Sequence, residues 1–247
     1  MSKNETLKNA GKPGSLYLLP SSISEADHRQ YLPGNHLEII KNIKFFFVEN
    51  IRSARRFISS LNLNLVIDQL EFLILNNDSE PESLKRMTRI LLEGNDAIVL
   101  SEAGSPGVAD PGANLVLAAH RHEIRVIPLT GPSSILLALM ASGFNGQNFA
   151  FNGYLPIDEK ERIKKIRELE TKMLSEHQTQ IFMETPYRND KLFSSLMRSL
   201  RPDTLLCIGA GITGAAEAIK TLPVEDWKKA PVSFNKIPAM FLIYHNT

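Results

Sequence analysis

Two short stretches of this 247-residue chain concentrate residue types able to hold a small polar molecule. The first, "SEAGSPGVADPG" at residues 101–112, packs three glycines, two prolines, two serines and two carboxylates into one turn. The second, "TGPSS" at residues 130–134, repeats the theme with a threonine and two serines. Glycine lets a backbone approach a guest closely, proline fixes the path, and free amides at a helix start bind anionic or polar groups. Neither stretch carries the lysine of a phosphate-binding P-loop, so a nucleoside or carboxylate-bearing molecule fits better than a nucleoside triphosphate. The plainer reading is structural: two tight strand-to-helix connections, with Asp110 and Ser133 as helix caps and Pro111 at a first helical position.

A third stretch, "GAGITG", sets Gly209, Gly211 and Gly214 at the G-x-G-x-x-G spacing of a dinucleotide-binding turn, after the strand-like "TLLCI". It stands near the end of the chain, whereas that pattern normally opens a fold whose second half follows it. The six histidines, at 28, 36, 120, 122, 177 and 245, show no ligand spacing, and the single cysteine, Cys207, sits in an apolar run. No metal site and no disulfide are expected, and a reducing, cytoplasmic setting fits best.

The elements that must position these turns read as an alternating α/β protein. Strands are expected at 15–19, 44–48, 65–67, 97–101, 125–129, 149–153, 179–183, 204–208 and 239–245. Helices are expected near 50–61, 81–93, 111–122, 132–142, 158–175 and 188–200. If strands 97–101 and 125–129 are parallel, both turns leave carboxyl ends and open on one sheet edge, where open α/β sheets bind ligands. The charged segment 158–172 is expected to form a solvated helix with Ile163, Ile166 and Leu169 as its apolar stripe, nucleic-acid contact being the other reading. Length and turn placement favour two lobes, 14–130 and 131–247.

Composition is that of an ordinary globular chain, with 43% hydrophobic and 22% charged residues. A net charge of +1 supplies no overall field for nucleic acid or an acidic membrane, though a local basic patch stays open. The polar N-terminus has no apolar core of a secretion signal, and no run is long enough to span a bilayer.

"VLSEAGSPGVADPG", "IRVIPLTGPSSILLALMASGF", "FAFNGYLP" and "IFMETPYR", in that order, resemble the tetrapyrrole-methylase superfamily of S-adenosylmethionine-dependent methyltransferases. Within it the chain is most similar to the branch that methylates the ribose 2'-hydroxyl of a cytidine in small-subunit ribosomal RNA. The resemblance implies two α/β lobes with a ligand cleft between them, a homodimer, and S-adenosyl-L-methionine as cofactor. It implies that the first turn contributes Ser101, Glu102, Ala103, Gly104, Ser105, Val108 and Ala109, with Ser105 near the donor's amino-acid end. The second turn would add Thr130, Ser133 and Ser134, and Met183, Ala210 and Ala239 would frame the adenosine.

Methyl transfer from a sulfonium needs alignment, exclusion of water and, for a hydroxyl acceptor, a proton acceptor. Glu49, after the strand "KFFFV", is the candidate for that proton, and Arg52 the candidate anchor for a substrate phosphate or carboxylate. An exposed ion-pair set of Glu49 with Arg52, Arg55 and Arg56 is the structural alternative. Glu102 would orient the donor loop by accepting backbone hydrogen bonds. The chain departs from the ribosomal-RNA branch at "PSSIS" (20–24), "ENIR" (49–52), where asparagine stands for aspartate, "ILNND" (74–78), and Thr213 with Gly214 in place of a Thr-Lys pair. No C-terminal RNA-contacting extension like that of the branch is expected. Three functions follow: a methyltransferase with RNA as one possible acceptor, a donor-binding module that has lost turnover, and a dinucleotide-dependent oxidoreductase built on Gly209, Gly211 and Gly214.

Overall fold

The computed structural model describes residues 12–24, 31–76, 80–229 and 232–245. His28 and the Asn77–Asp78 end of "ILNND" therefore lie outside the described residues. The chain divides into two compact α/β units, one of residues 1–22 and 27–132, the other of 23–26 and 133–247.

In the first unit the strands are β1 (Ser15–Leu19), β2 (Phe45–Val48), β3 (Glu71–Ile74), β4 (Ala97–Leu100) and β5 (Arg125–Pro128). They form one parallel sheet in the order β3-β2-β4-β1-β5. All four residues of β4 are buried, because its strand lies mid-sheet with helices on both faces. Helices α1 (Gly34–Lys41) and α2 (Ile51–Ser60) bring Ile40, Ala54 and Ile58 against Leu19, Phe46, Val48, Ile98 and Leu100. On the other face, α3 (Pro81–Leu92) and α4 (Ala113–Arg121) bring Met87, Leu91, Leu115 and Ala119 against Leu16, Phe47, Ala97 and Val99.

The second unit holds α5 (Ser134–Ser142), β6 (Phe149–Tyr154), α6 (Glu159–Glu176), β7 (Thr179–Glu184), α7 (Asn189–Ser199), β8 (Leu205–Ala210), β9 (Ala218–Pro223), α8 (Val224–Trp227) and β10 (Ala239–Tyr244). Its sheet is mixed, in the order β6-β7-β10-β8-β9: β6 and β7 are parallel, and β10 runs antiparallel to both β7 and β8. Ala138 and Leu139 of α5 pack on one face with Ile181, Cys207, Met240 and Leu242. The other face is covered by α6, α7 and α8 through Ile166, Leu169, Met173, Leu192, Leu196 and Trp227.

Several expectations are corrected here. The run at 65–67 is not a strand; it leads into a 3₁₀ turn, Ile67–Gln69, and the third strand is Glu71–Ile74. Helices α1 and α8 and strand β9 were not foreseen. On α6 the buried stripe is Arg162, Ile166, Leu169, Glu170 and Met173, while Ile163 is only half-buried. Arg162 can be buried because its guanidinium donates to Ser195 Oγ at 3.0 Å and to the Ile157 carbonyl at 2.7 Å. Among the described residues no helix is long and apolar enough to cross a membrane.

Candidate active site

Strands β4 and β5 both run parallel to β1 and flank it, so the 101–112 turn and the 129–133 turn leave the same edge of the first sheet. The exit of β1 joins them there. Ser21 N donates to the Gly104 carbonyl at 2.9 Å, and Ser105 Oγ donates to the Pro132 carbonyl at 3.4 Å. Thr130 Oγ1 lies 3.5 Å from Nε2 of the buried His36, whose pKa burial holds below its usual value. Three loops that are far apart in sequence are thus fastened into one rim.

Within the first turn Ser101 and Gly104 are buried, Ser105 is half-buried, and Glu102, Ala103, Val108 and Ala109 are exposed. The Ser101 hydroxyl donates long bonds to the carbonyls of Ala103 and Gly104, at 3.5 and 3.4 Å. Asp110 does not cap α4, contrary to expectation. The helix begins at Ala113 behind Gly112, whose φ of +134° is open to glycine, and this turn carries the Asp110 side chain away from the helix amides. Ser133 does cap α5, accepting from Leu136 N at 3.5 Å, and Ser134 is the first residue of that helix. Thr130 belongs to the first unit, and Ser133 and Ser134 to the second.

At the end of β2, Asn50 caps α2 by accepting from the amides of Arg52 and Ser53 at 2.9 and 3.2 Å. An asparagine serves this purpose as well as an aspartate, so the departure in "ENIR" keeps the local geometry. The cap leaves Glu49 just outside the helix, where Oε1 accepts the Glu102 amide at 3.1 Å. The expected role of Glu102 is therefore reversed: Glu49 holds the loop, and Glu102 accepts from Ser53 Oγ at 2.9 Å. The ion-pair alternative for Glu49 also fails: among the described residues no arginine pairs with it, and Arg55 instead pairs with Asp68 and lies over the Phe72 ring.

Glu49, Glu102 and Asp110 then form a carboxylate cluster. Burial raises the Glu49 pKa; the Glu102 amide opposes the rise and the Glu102 charge adds to it. Burial, followed by the charges of Glu49 and Glu102, pushes Asp110 up to about 6, with the Ser101 hydroxyl beside it working the other way. Asp110 was read from the sequence only as a cap; no local signal marks a carboxylate whose partners arrive from β2 and β4. A cavity of about 70 Å³ beside the cluster is lined by Ser21, Glu49, Asn50, Ser53, Ser101 and Glu102, among others. Ser21 is 3% exposed, and its hydroxyl has no hydrogen-bond partner among the described residues. Among the described residues no three His, Cys, Asp or Glu side chains are placed to hold a metal ion.

The Asp110 environment has a stability consequence whose sign is fixed. Its pKa is about 6 when folded against an ordinary 3.8, so the folded state binds the extra proton between those values. Its contribution is fully present below the lower value and lost as pH rises through the upper one. Asp110→Asn, which cannot ionise, is therefore expected to be more stable than wild type at pH 8 by about 1 kcal/mol, after discounting for solvent screening of a half-buried group. Denaturant unfolding at pH 4 and pH 8 checks this, with the gain vanishing at the lower pH.

The second unit gathers the three candidates that lie on its strands at one end of its sheet. Ala210 and Ala239 are register partners, and Met183 is paired to Met240, the next residue on β10. Their side chains do not share a face. Ala210 and Ala239 pack toward α6 and α7, and Met183 toward α5, so on the α5 face the two alanines offer backbone only. Just beyond Met183, buried Glu184 accepts from Arg188 Nη2 at 2.6 Å and Thr185 N at 2.7 Å, which explains the compact "ETPYR" turn. "GAGITG" opens a β-hairpin: β8 turns into antiparallel β9, with Thr213 Oγ1 2.8 Å from Ser24 Oγ. No helix N-terminus follows it to receive a pyrophosphate, which removes the dinucleotide reading.

A parallel α/β sheet with three polar loops fastened on one edge, followed by a mixed-sheet unit, is the architecture of a class of methyltransferases. The model of the tetrapyrrole (corrin/porphyrin) methylases matches residues 38–227, and the chain belongs to this family of methyltransferases. It is 26% identical over 226 residues to the ribosomal RNA small subunit methyltransferase I of Vibrio cholerae, covering 92% of this chain and 74% of that one. The solved structure of the methyltransferase CobJ superposes with a TM-score of 0.62 at 14% identity, covering 94% of this chain and all of that one. A diphthine synthase structure gives a TM-score of 0.63 at 14% identity, with 94% and 90% covered. These two likenesses bear on fold alone.

Proposed function

We propose that the chain transfers the methyl group of S-adenosylmethionine to a ribose 2'-hydroxyl of small-subunit ribosomal RNA. The observation that carries the reading is the half-buried Glu49 carboxylate, held by the Glu102 amide at the edge where the two glycine–proline turns leave the sheet. The name of the Vibrio cholerae relative supports the RNA class. The rim fits the donor: hydroxyls of Ser105 and Thr130 stand among tightly folded backbone, and a carboxylate cluster suits a cationic molecule. Residues 101–105, Val108, Ala109 and Thr130 of this rim would hold the donor. When bound, the donor supplies an already activated methyl group, so the protein has only to align the acceptor and take its proton. Glu49 takes that proton, and Arg52, exposed in the first turn of α2, anchors a phosphate of the RNA. An RNA of this kind places the activity in the cytoplasm, and the family likeness favours a homodimer, which sedimentation equilibrium tests.

Two measurements test the function. Calorimetric titration is expected to show saturable binding of S-adenosylmethionine and of its demethylated product. Incubation of unmodified small ribosomal subunits with methyl-labelled donor is then expected to place label in a 2'-O-methyl nucleoside after nuclease digestion. Absence of saturable binding overturns the donor assignment; binding without label in RNA, protein or metabolite returns the lapsed-module reading.

A further inference from the structure

The cavity beside the carboxylate cluster carries more than Glu49 alone accounts for. Ser21 reaches it from the exit of β1, Glu49 from the end of β2, and Ser101 and Glu102 from the exit of β4. Glu49 Oε1 is taken by the Glu102 amide, and Glu102 is tied to Ser53, so the cluster is fastened to the scaffold. The Ser21 hydroxyl is the exception. It lines this cavity, is almost wholly buried, and has no partner among the described residues, although its own amide is bonded to Gly104. A buried hydroxyl left without a bond costs free energy, and a hydroxyl-bearing guest in the cavity would remove that cost.

We propose that Ser21 completes the acceptor site: its hydroxyl hydrogen-bonds the methyl-acceptor hydroxyl in the cavity that Glu49 also lines, and so holds that oxygen where Glu49 takes its proton. This rests on the reading of the chain as a methyltransferase acting on a ribose hydroxyl. In the step, the acceptor oxygen forms its bond to the methyl carbon, the carbon–sulfur bond breaks with its electron pair going to sulfur, and the proton leaves the oxygen for Glu49. The charges balance. The sulfonium loses its positive charge as the cluster loses one negative charge, so mutual repulsion among the carboxylates favours proton uptake.

The test is the single-turnover rate of methyl transfer to small ribosomal subunits, measured beside calorimetric donor affinity on wild type and Ser21→Ala. Ser21→Ala should slow transfer about fivefold or more with unchanged donor affinity and no loss of thermal stability, since it removes an unbonded group. An unchanged rate overturns the role of Ser21. Failure of wild type to label any RNA defeats the functional reading itself and the acceptor role of Ser21 with it, whereas an active wild type beside an equally fast Ser21→Ala defeats the role of Ser21 alone.

Discussion

Glu49→Gln is expected to lower the rate of methyl transfer about 10²- to 10⁴-fold, the usual worth of a positioned general base, while donor affinity stays within a few-fold of wild type. Glutamine keeps an oxygen able to accept the Glu102 amide, so the 101–112 loop retains its tether. What is lost is the ability to take a proton. Glu49→Ala loses both functions: the Glu102 amide is left without its side-chain partner, and donor affinity should fall along with the rate. The two variants therefore separate chemistry from loop positioning. Glutamine also relieves Asp110 of a neighbouring negative charge, so Glu49→Gln should be no less stable than wild type at neutral pH. Single-turnover rates, calorimetric donor affinities and unfolding curves measured on both variants check all three statements. A Glu49→Gln protein that transfers methyl groups at the wild-type rate would remove Glu49 from the chemistry.

Much of the frame that positions Glu49 was legible in the sequence, for identifiable reasons. Strands such as "SLYLL" and "AIVL" are short apolar runs that the fold buries, and glycine–proline clusters mark their exits. The third strand was misplaced because "LVI" looks more strand-like than "EFLI". Yet Glu71 enters the sheet by pairing with Lys44 at 2.7 Å, and Leu63, Leu65 and Ile67 merely cover the α2 side of the core. Strand β9 was missed because it is an edge strand that exposes Ala218 and Lys220, so its pattern lacks a continuous apolar run. At the site, Glu49 and the two turns could be found because each follows a readable strand. Asp110 and Ser21 could not. The first owes its behaviour to burial and to charges brought from elsewhere in the chain, and the second to a bridge with Gly104; both are products of tertiary structure. "GAGITG" misled in the opposite direction, because its spacing is local whereas a dinucleotide turn also requires a following helix.

The rim itself should be as sensitive to added volume as Glu49 is to loss of charge. At Gly131, in the turn after β5, a Cβ would lie 2.4 Å from Cβ and 2.7 Å from Cγ of Pro20, which belongs to the exit of β1. The proline ring is rigid, so the clash cannot be relieved by rotating a flexible side chain. Gly131→Val must separate the two loops, and separation pulls on Ser21 and on Thr130, which flank the contact. Overpacking of this kind costs about 1–3 kcal/mol. The cost falls at the sheet edge, because the Leu129 N to Leu18 carbonyl bond at 3.0 Å anchors the strands just before the turn. Donor affinity is therefore expected to drop at least tenfold, with a fall in melting temperature of only a few degrees. Gly34→Ala is the matched control. Nothing lies within 4 Å of its added Cβ at the start of α1, so affinity and melting temperature should hold. Calorimetry with S-adenosylmethionine on both variants decides the matter: equal affinities would mean that the contact between the β1 and β5 exits plays no part in holding the donor.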